Sequence, residues 1–317
     1  MLKTQERADP PARQLDHRRR RSLRAKKEQR AAYLFLLPWF VGLAVITLGP
    51  MIASLYLSFT DFNVTQAPRW IGIQNYVQMF TTDPRYWKSV EVTLTYVLVS
   101  VPLHLIFALG FALLLNQGLR GLAFYRSLYY LPSLMGTSVA IAILWRQVFG
   151  ASGLLNDFLG IFGIHGHSWI GDTGSAIYTL IALNIWTFGS AMVIFLAGLR
   201  QIPADLYEAA LVDGAVWRQR FFHITIPLLT PIILFNGILN IISAFQAFTS
   251  SYVVSNGTGG PADSTLFYTL YLYQQGFTQF HMGYASAMAW VLLVVVGVCT
   301  GLIFATSSRW VFYYGNK

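Results

Sequence analysis

The chain has 317 residues, of which 55% are apolar and only 11% are charged, and its mean hydropathy is +0.50. Soluble domains carry about 25% charged residues, so this chain has too little polar surface to cover a soluble fold. Its single cysteine, Cys299, excludes an internal disulfide. The composition therefore predicts an integral membrane protein.

Six apolar stretches are each long enough to cross the hydrocarbon core of a bilayer, which takes about 20 helical residues. They are continuous, whereas the strands of a membrane β-barrel alternate in segments of about ten residues. The third stretch is the weakest, because Pro132 interrupts it and Arg146 lies near its end. The sequence therefore predicts an all-α integral membrane protein with a bundle of six transmembrane helices. The predicted spans are Leu34–Leu57, Leu94–Leu115, Leu128–Val148, Ala176–Leu199, Pro227–Val254 and Ala285–Ala305.

The lysines and arginines are distributed unevenly around these spans. With a cytoplasmic N-terminus, 18 of the 22 basic residues fall on the inside and 4 on the outside. Because basic residues are enriched on the cytoplasmic side of membrane proteins, both termini are predicted to be cytoplasmic. The predicted organisation is a basic tail (1–30), a transmembrane domain (31–310) and a short C-terminal tail (311–317). The four arginines Arg18 to Arg21 precede the first span, which favours contact with anionic membrane lipid over a nucleic-acid tail.

No motif in the sequence carries covalent chemistry. The chain has no phosphate-binding G-x-x-x-x-G-K-[ST] loop, no H-E-x-x-H helix, no cysteine cluster and no G-x-S-x-G turn. His165 and His167 share an outside loop, but no third metal ligand stands near them in the sequence. For His104, which lies in a span, a hydrogen-bonded packing role is favoured over a functional one. We therefore predict no catalytic residue, no metal site and no enzyme activity in this chain.

The inside loop between the fourth and fifth spans, IPADLYEAALVDGAVWRQRFFHITIPLLTP (202–231), has the most specific pattern in the chain. Pro203 suits the first turn of a helix, and Asp205 places a carboxylate near its positive end. Gly214 is placed to end that helix, and a second amphipathic piece follows before Pro227 opens the next span. Taken alone, the segment is typical of an interfacial amphipathic loop. Two short helices around a glycine turn can also dock into a partner protein.

The same segment resembles the signature loop of bacterial ABC importer permeases, E-A-A-x-x-D-G-A followed by F-x-x-I-x-L-P. The chain matches it without a gap, and only Ile226 departs from it, where the family has leucine. In that family this loop (203–227 here) is the coupling helix, which inserts into a cleft of a separate ATPase subunit. The resemblance assigns that role to the loop residues Glu208, Ala209, Ala210, Asp213 and Gly214.

The resemblance continues along nearly the whole chain from Ala31. The stretches FLLPWFVGLAVITLGPMIASLYLSFTDF, WIGIQNYVQMF and YRSLYYLPSLMGTSVAIAILWRQVF look like parts of carbohydrate-uptake permeases of the maltose and glycerol-3-phosphate type. It implies a six-helix type I permease of the bacterial inner membrane, for an oligosaccharide or related polyol. The implied partners are a second homologous permease, two ATP-binding subunits that hold ATP and Mg²⁺, and an extracellular or periplasmic solute-binding protein. This chain itself would hold no cofactor.

Two alternatives stay open at this point. An ion-coupled secondary transporter typically needs buried carboxylates within its spans, and all 13 acidic residues fall outside the six predicted spans. The second alternative is an ABC permease for a solute other than a sugar, because the sequence does not name the solute.

Polar residues within the fourth and fifth spans are candidates for the solute path. Asn236, Asn240 and Ser243 occupy positions i, i+4 and i+7 on one helical face, and Gln246 follows three residues later. Asn184 lies midway along the fourth span. Amides and hydroxyls pair well with sugar hydroxyls. Our hypothesis is that Asn184, Asn240, Ser243 and Gln246 face the translocation path, as in the maltose-type permeases that the chain resembles.

Two aromatic residues of the same spans, Trp186 and Phe245, offer faces on which a sugar ring could stack. The alternative for all these polar residues is hydrogen bonding from helix to helix within the bundle, because unpaired polar groups are costly in hydrocarbon. The sequence favours neither solute contact nor helix-to-helix hydrogen bonding for these residues.

Overall fold

A computed structural model describes residues 29, 32–118, 121–136, 138–164 and 166–312. These residues belong to two compact units, one ending at Tyr56 and the other beginning at Leu57. The predicted basic tail, apart from Gln29, lies outside the described residues. So do His165 and the last five residues of the predicted C-terminal tail (313–317).

The first long helix, α1 (Ala32–Ser58), contains the predicted first span. Its turns widen into a π-helix between Leu43 and Leu48, directly before Gly49 and Pro50. Proline has no N–H and so cannot donate the usual helical hydrogen bond. The missing bond is accommodated here by a short π-helical segment, a form that occurs as single turns inside α-helices. The helix therefore accommodates Pro50 without ending.

The second unit opens with a two-stranded antiparallel ribbon and a short helix. Strand β1 (Thr60–Asp61) pairs with β2 (Arg69–Trp70), and α2 (Gln74–Thr81) follows. The buried Asn75 amide joins them, because its Nδ2 donates to the carbonyls of Ser58 (2.9 Å) and Thr60 (3.0 Å).

Helix α3 (Pro84–Leu115) is the 32-residue centre of this unit. It begins ten residues before the predicted second span. Asp83 caps it, since its Oδ1 accepts from the backbone N–H groups of Arg85 (3.0 Å) and Tyr86 (3.1 Å), and proline takes the first helical position. The turns before the predicted span contain Arg85, Lys88 and Glu91. These charged residues lower the mean hydropathy of that segment, so the sequence did not predict it as part of the span.

The third and fourth predicted spans are each broken into two helices. Helices α4 (Leu122–Met135) and α5 (Val139–Val148) meet at 99°. A short helix, α6 (Leu154–Ile161), lies outside any predicted span. Helices α7 (Ala176–Trp186) and α8 (Gly189–Leu199) meet at 43°.

The rest of the chain is also helical. The fifth predicted span is interrupted at Gln246–Phe248, and the sixth lies within one long helix. In chain order the elements are α9 (Ala204–Val212), α10 (Trp217–Arg220), a π segment (Phe221–Thr225), α11 (Ile226–Phe245), α12 (Thr249–Val254), a 3-10 turn (Pro261–Asp263), α13 (Tyr268–Tyr273), a π segment (Gln274–Thr278) and α14 (Met282–Ser307).

Four helical runs of the described chain are long and apolar enough to cross a membrane, and the two bent pairs raise the number to six if each crosses as one span. The all-α membrane architecture predicted from the sequence is therefore confirmed at this level. The four runs are Ala32–Ser58, Pro84–Leu115, Trp217–Val254 and Met282–Ser307.

The core of the second unit forms where α7, α8, α11 and α13 pack around α3. Small side chains on α3, Ala108 and Ala112, are fully buried and let α8 approach closely, where Met192 and Phe195 fill the contact. Close packing of this kind is the main source of helix association in a membrane, because lipid removes the hydrophobic driving force.

The Asp83 cluster joins three helices at the other end of α3. Asp83 Oδ2 accepts from the hydroxyls of Tyr271 on α13 and Tyr284 on α14, both at 2.6 Å. Burial and the donation to Asp83 raise the pKa of Tyr271, so this hydroxyl keeps its proton. Beside it, the Arg85 guanidinium donates twice to Asp263 (2.9 and 2.7 Å), which ties the loop before α13 to α3.

Replacing Asp83 by alanine should destabilise this end of the bundle. The change removes a helix cap, worth about 1 kcal/mol, and the charged acceptor of two hydroxyls, worth about 1.5–3 kcal/mol each. Asp61→Ala is the matched control, because Asp61 forms only an exposed ion pair with Arg69 at 3.7 Å. We expect Asp83→Ala to lower the apparent Tm of the purified chain by several degrees, and equal Tm values for the two variants would contradict the role of the cluster.

Candidate functional site

A cavity of about 420 Å³ lies within the second unit, between the two broken helix pairs and α11. The four residues predicted for the solute path all line it: Asn184, Asn240, Ser243 and Gln246. Asn236 lines it as well and is buried, with its Nδ2 bonded to the Ile232 carbonyl (3.2 Å). The shared face predicted for α11 is therefore present in the structure.

At the break between α7 and α8, one backbone carbonyl loses its usual helical donor and accepts three other hydrogen bonds. The Asn184 carbonyl accepts from the Thr187 backbone N–H (3.1 Å), from the Thr187 hydroxyl (2.7 Å) and from His104 Nδ1 (2.9 Å). The next amide, Phe188, bonds to Ile185 instead of Asn184 (3.1 Å). His104 therefore makes the hydrogen bond expected of a packing residue, with the helix break as its partner, and it also lines the cavity.

Two glycines allow close contact between the broken helix pairs: Gly136 lies against Thr187 of the other break, and Gly189 lies against Tyr129 within α4. A Cβ on Gly189 would lie 2.2 Å from the Tyr129 carbonyl oxygen, and a Cβ on Gly136 would lie 2.0 Å from Thr187 Cγ2. Both positions therefore admit only glycine without a shift of the neighbouring chain. Irregular backbone is tolerated at membrane depth where it is buried in protein or lines a wet cavity, which describes both breaks.

Two side-chain oxygens beside the cavity are buried and unpaired. Asn184 Oδ1 and Asn240 Oδ1 make no hydrogen bond within the part of the chain that the structure describes. A buried acceptor without a donor costs about 1–3 kcal/mol. Both oxygens have almost no accessible surface, and Tyr96 and His104 on α3 also interact with the Asn184 side chain. A donor in the cavity would therefore reach either oxygen only after a shift of the neighbouring side chains.

The cavity lining mixes polar and apolar side chains. Among the described residues that line it, none is Asp, Glu, Lys or Arg, and one is His104. The sequence-based prediction missed several short hydroxyl side chains, because they stand at the breaks of spans that were predicted to be continuous. These are Ser133, Ser138, Thr187, Ser190, Thr249 and Ser250.

The two predicted aromatic residues do not line the cavity. Phe245 is buried in the hydrophobic core, and the Trp186 ring packs on Trp145 with centroids 5.8 Å apart. Tyr96 and Phe248 are the aromatic lining residues instead. The Phe245 prediction assumed that the helix continues beyond this residue. Because α11 ends at Phe245, the chain turns before Phe248, and the ring of Phe248 lines the cavity instead.

The loop matched to the coupling signature forms a second candidate site. Helix α9 ends in a Schellman motif, in which Ala215 N–H bonds to the Ala210 carbonyl (2.8 Å) and Gly214 N–H bonds to Leu211 (3.0 Å). Gly214 has φ +78°, and open space surrounds the position where a Cβ would stand. The predicted glycine turn is therefore present, and its requirement for glycine is conformational rather than steric.

The residues given the coupling role lie on one exposed turn. Glu208, Ala209, Asp213 and Gly214 are exposed and Ala210 is half-buried. Apolar side chains extend this surface, with Val212 88% exposed and Trp217 64% exposed. A surface that combines carboxylates with large apolar groups is suited to a protein partner.

One side-chain bond attaches α9 to the base of α11. The Tyr207 hydroxyl and the Thr225 hydroxyl lie 2.9 Å apart and are partly buried. Thr225 closes the π segment that leads into α11, and π turns are frequent at functional sites. The contact therefore joins α9 to the start of the helix that carries Asn236, Asn240 and Ser243.

Comparisons with known proteins agree on one class. The family described as "Binding-protein-dependent transport system inner membrane component" matches residues 84–313. A probable ABC transporter permease protein, YesP of Bacillus subtilis, is 53% identical over 299 residues, which cover 94% of this chain and 97% of that protein. The lactose transport system permease protein LacF of Rhizobium radiobacter is 34% identical over 277 residues, 86% of this chain and 92% of that protein.

A solved structure shares the fold. A chain in the crystal structure of a bacterial alginate ABC transporter, in complex with an alginate pentasaccharide-bound periplasmic protein, matches with a TM-score of 0.76. The match covers 90% of this chain and 96% of that one, at 21% identity. It supports the helix arrangement described above.

The packing of the α7–α8 break against α4 is testable with a pair of glycine variants. Gly189→Ala should lower stability by about 1–3 kcal/mol, the usual cost of overpacking, because the new Cβ meets the Tyr129 carbonyl. Gly110→Ala on α3 is the matched control, since nothing lies within 4 Å of its Cβ position. Thermal unfolding of both purified variants measures the difference, and an unchanged Tm for Gly189→Ala would contradict this packing.

Proposed function

This chain belongs to the family of binding-protein-dependent transport system inner membrane components, and from that premise we propose that it forms the membrane path of an ABC importer for a sugar. Relatives named for trehalose/maltose, lactose and arabinooligosaccharide transport are 33%, 34% and 32% identical to it. Their names support a sugar as the class of solute.

The observation that carries this proposal is the cavity with its two unpaired amide oxygens. Asn184 Oδ1 and Asn240 Oδ1 accept donors, and the surrounding serine and threonine hydroxyls both donate and accept. A sugar presents the same groups in return. The cavity volume of about 420 Å³ lies within the range of small-molecule sites, about 300–1,000 Å³. Asn184, Asn240, Ser243 and Gln246 are therefore our proposed contacts with the solute.

Six spans with both termini in the cytoplasm are the proposed topology. Each bent pair then crosses as one span, and the basic asymmetry places Gly214 inside and Gly260 outside. The domain organisation is a basic tail (1–30), the transmembrane domain (31–310) with its coupling loop (203–227), and the tail 311–317. The cell membrane of a bacterium is the proposed location, in keeping with the inner membrane family.

Impermeant thiol labelling of intact cells tests this topology. Single cysteines replace Val212 and Thr258, exposed neighbours of Gly214 and Gly260, in a Cys299→Ser background. We expect the reagent to label the Thr258→Cys chain in intact cells and the Val212→Cys chain only after permeabilisation. The opposite pattern would reverse the orientation and with it the side on which the coupling loop lies.

The loop 203–227 is the proposed contact with one of two ATP-binding subunits. Glu208, Ala209, Ala210, Asp213 and Gly214 would form the surface that enters the cleft of that subunit. ATP and Mg²⁺ are proposed to bind there and not to this chain, for which we propose no enzyme activity, cofactor or metal. The other proposed partners are a second homologous permease, a solute-binding protein on the outside and the membrane lipid.

Gly214→Val tests the coupling role. A β-branched residue at φ +78° is strained by about 1–2 kcal/mol, so the turn should distort and ATP-driven uptake should fall at least tenfold. Gly72→Val is the matched control, because Gly72 also has positive φ (+62°) and open space around it but lies outside. Both chains should insert normally. Wild-type uptake by a correctly inserted Gly214→Val chain, or by Glu208→Lys, would refute the coupling role.

Alanine substitutions at Asn184 and Asn240 test the solute path. The measured solute is the sugar whose uptake is lost when the gene for this chain is deleted. We expect each variant to reduce uptake at least tenfold while leaving complex assembly and basal ATP hydrolysis unchanged, because the lost groups meet the solute. Asn116→Ala, at the exposed end of α3, is the control. Normal uptake by both cavity variants, or loss of assembly, would assign these amides to packing instead.

A further inference from the structure

The short helix α6 (Leu154–Ile161) presents an apolar face that no described part of the chain covers. Leu154, Phe158 and Ile161 recur at i, i+4 and i+7, and Phe162 continues the same face. Their exposed fractions run from 58% for Phe158 to 77% for Ile161. An exposed cluster of four large apolar side chains on two helical turns marks an interaction surface.

The opposite face of α6 is held to the protein by one asparagine. Asn156 Nδ2 donates to the carbonyls of Gly150 (3.2 Å), Ala151 (2.9 Å) and His167 (2.9 Å), and its Oδ1 accepts from Trp169 Nε1 (2.8 Å). The two N–H groups of Asn156 are thus shared among three carbonyls, and the residue joins α6 to the segments on both sides of it. The apolar face lies on the side of α6 opposite to these bonds.

The position of α6 in the chain puts it close to the membrane surface. Only five residues separate it from the end of α5, a distance of at most about 20 Å even when fully extended. Leu144 on α5 and Leu154 at the start of α6 line one groove of about 560 Å³, which Arg146, Gln147 and Ser152 also line. Leu144, Ile143 and Val139 are exposed on α5, so α5 has an exposed apolar surface of its own beside this groove.

We propose that the exposed face of α6 lies in the outer leaflet of the bilayer, at the boundary between headgroups and acyl chains. The four side chains carry no polar atom, which fits acyl chains and does not fit the mixed polar surface of a soluble partner. Asp157, the one ionisable residue of α6, stands at the rim of the face and is exposed, where headgroups and water would meet it.

This inference depends on the proposed topology only for the choice of leaflet, and it does not depend on which solute the protein transports. By lying in the interface, α6 would fix the depth of α5 and so of the break that lines the cavity. Its failure would leave the solute path and the coupling loop as they are.

Spin labels on the assembled importer in liposomes test the proposal. Single cysteines replace Phe158, Ile161 and Phe162 on the apolar face, and Asp157 and Ser152 off it, in a Cys299→Ser chain with cysteine-free partner subunits. Collisions of the nitroxide with O₂ report lipid, and collisions with the water-soluble NiEDDA complex report water. Three apolar positions keep the test decisive if one variant fails to assemble.

We expect the apolar positions to favour O₂ over NiEDDA at least fivefold relative to Ser152, with Asp157 between them. Adding Asn156→Ala, which removes the bonds that join α6 to the segments on both sides of it, should reduce the difference between positions 157 and 158. NiEDDA access equal to that at Ser152 would show a face in water and overturn the proposal. Low access to both reagents, with or without the solute-binding protein, would show a protein contact and overturn it as well.

Discussion

A backbone carbonyl that loses its helical donor inside a membrane has to find another one, because lipid offers none. In this chain that requirement falls on Asn184, where α7 ends two residues later. His104 from α3 and Thr187 from the turn itself supply the donors. Helix α3 thus stabilises the break through His104, and Asn184 at the break lines the cavity.

The helix breaks explain the polar part of the cavity lining. A continuous helix would use its carbonyls internally and present apolar side chains to its neighbours, as the predicted spans do. At the breaks, glycines admit close backbone contact and serines and threonines fill the remaining space. The resulting lining donates and accepts hydrogen bonds without Asp, Glu, Lys or Arg among its described residues, which suits a solute made of hydroxyls.

Two parts of the second unit differ in how they are held. At the first turn of α3, the Asp83 cluster bonds α3 to α13 and α14 through charged and buried groups. Helix α9 is bonded to the start of α11 through the Tyr207–Thr225 contact, and most of its residues are exposed. If α9 docks into an ATP-binding subunit as proposed, this contact is one route by which its position would affect α11.

Periodicity and hydropathy were sufficient for the all-α class and for the polar face of α11, because both depend on local sequence. The first turns of α3 were missed, since charged residues lowered their hydropathy, although Asp83 and Pro84 carry a helix-start signal. The break after Trp186 is not marked by a proline in the sequence, and it depends on the contact of Gly189 with Tyr129. The prediction assumed that both spans are uninterrupted helices, and the error at Phe245 followed from the same assumption.

The central claim is that the Asn184 amide at the helix break and the Asn240 amide on α11 receive the solute, and a structure of the assembled importer with trapped sugar tests it most directly. The account predicts solute density within hydrogen-bond distance of Asn184 Oδ1 and Asn240 Oδ1, with the Asn184 carbonyl still bonded to His104. Solute density elsewhere, with both amide oxygens bonded to the second permease, would contradict it.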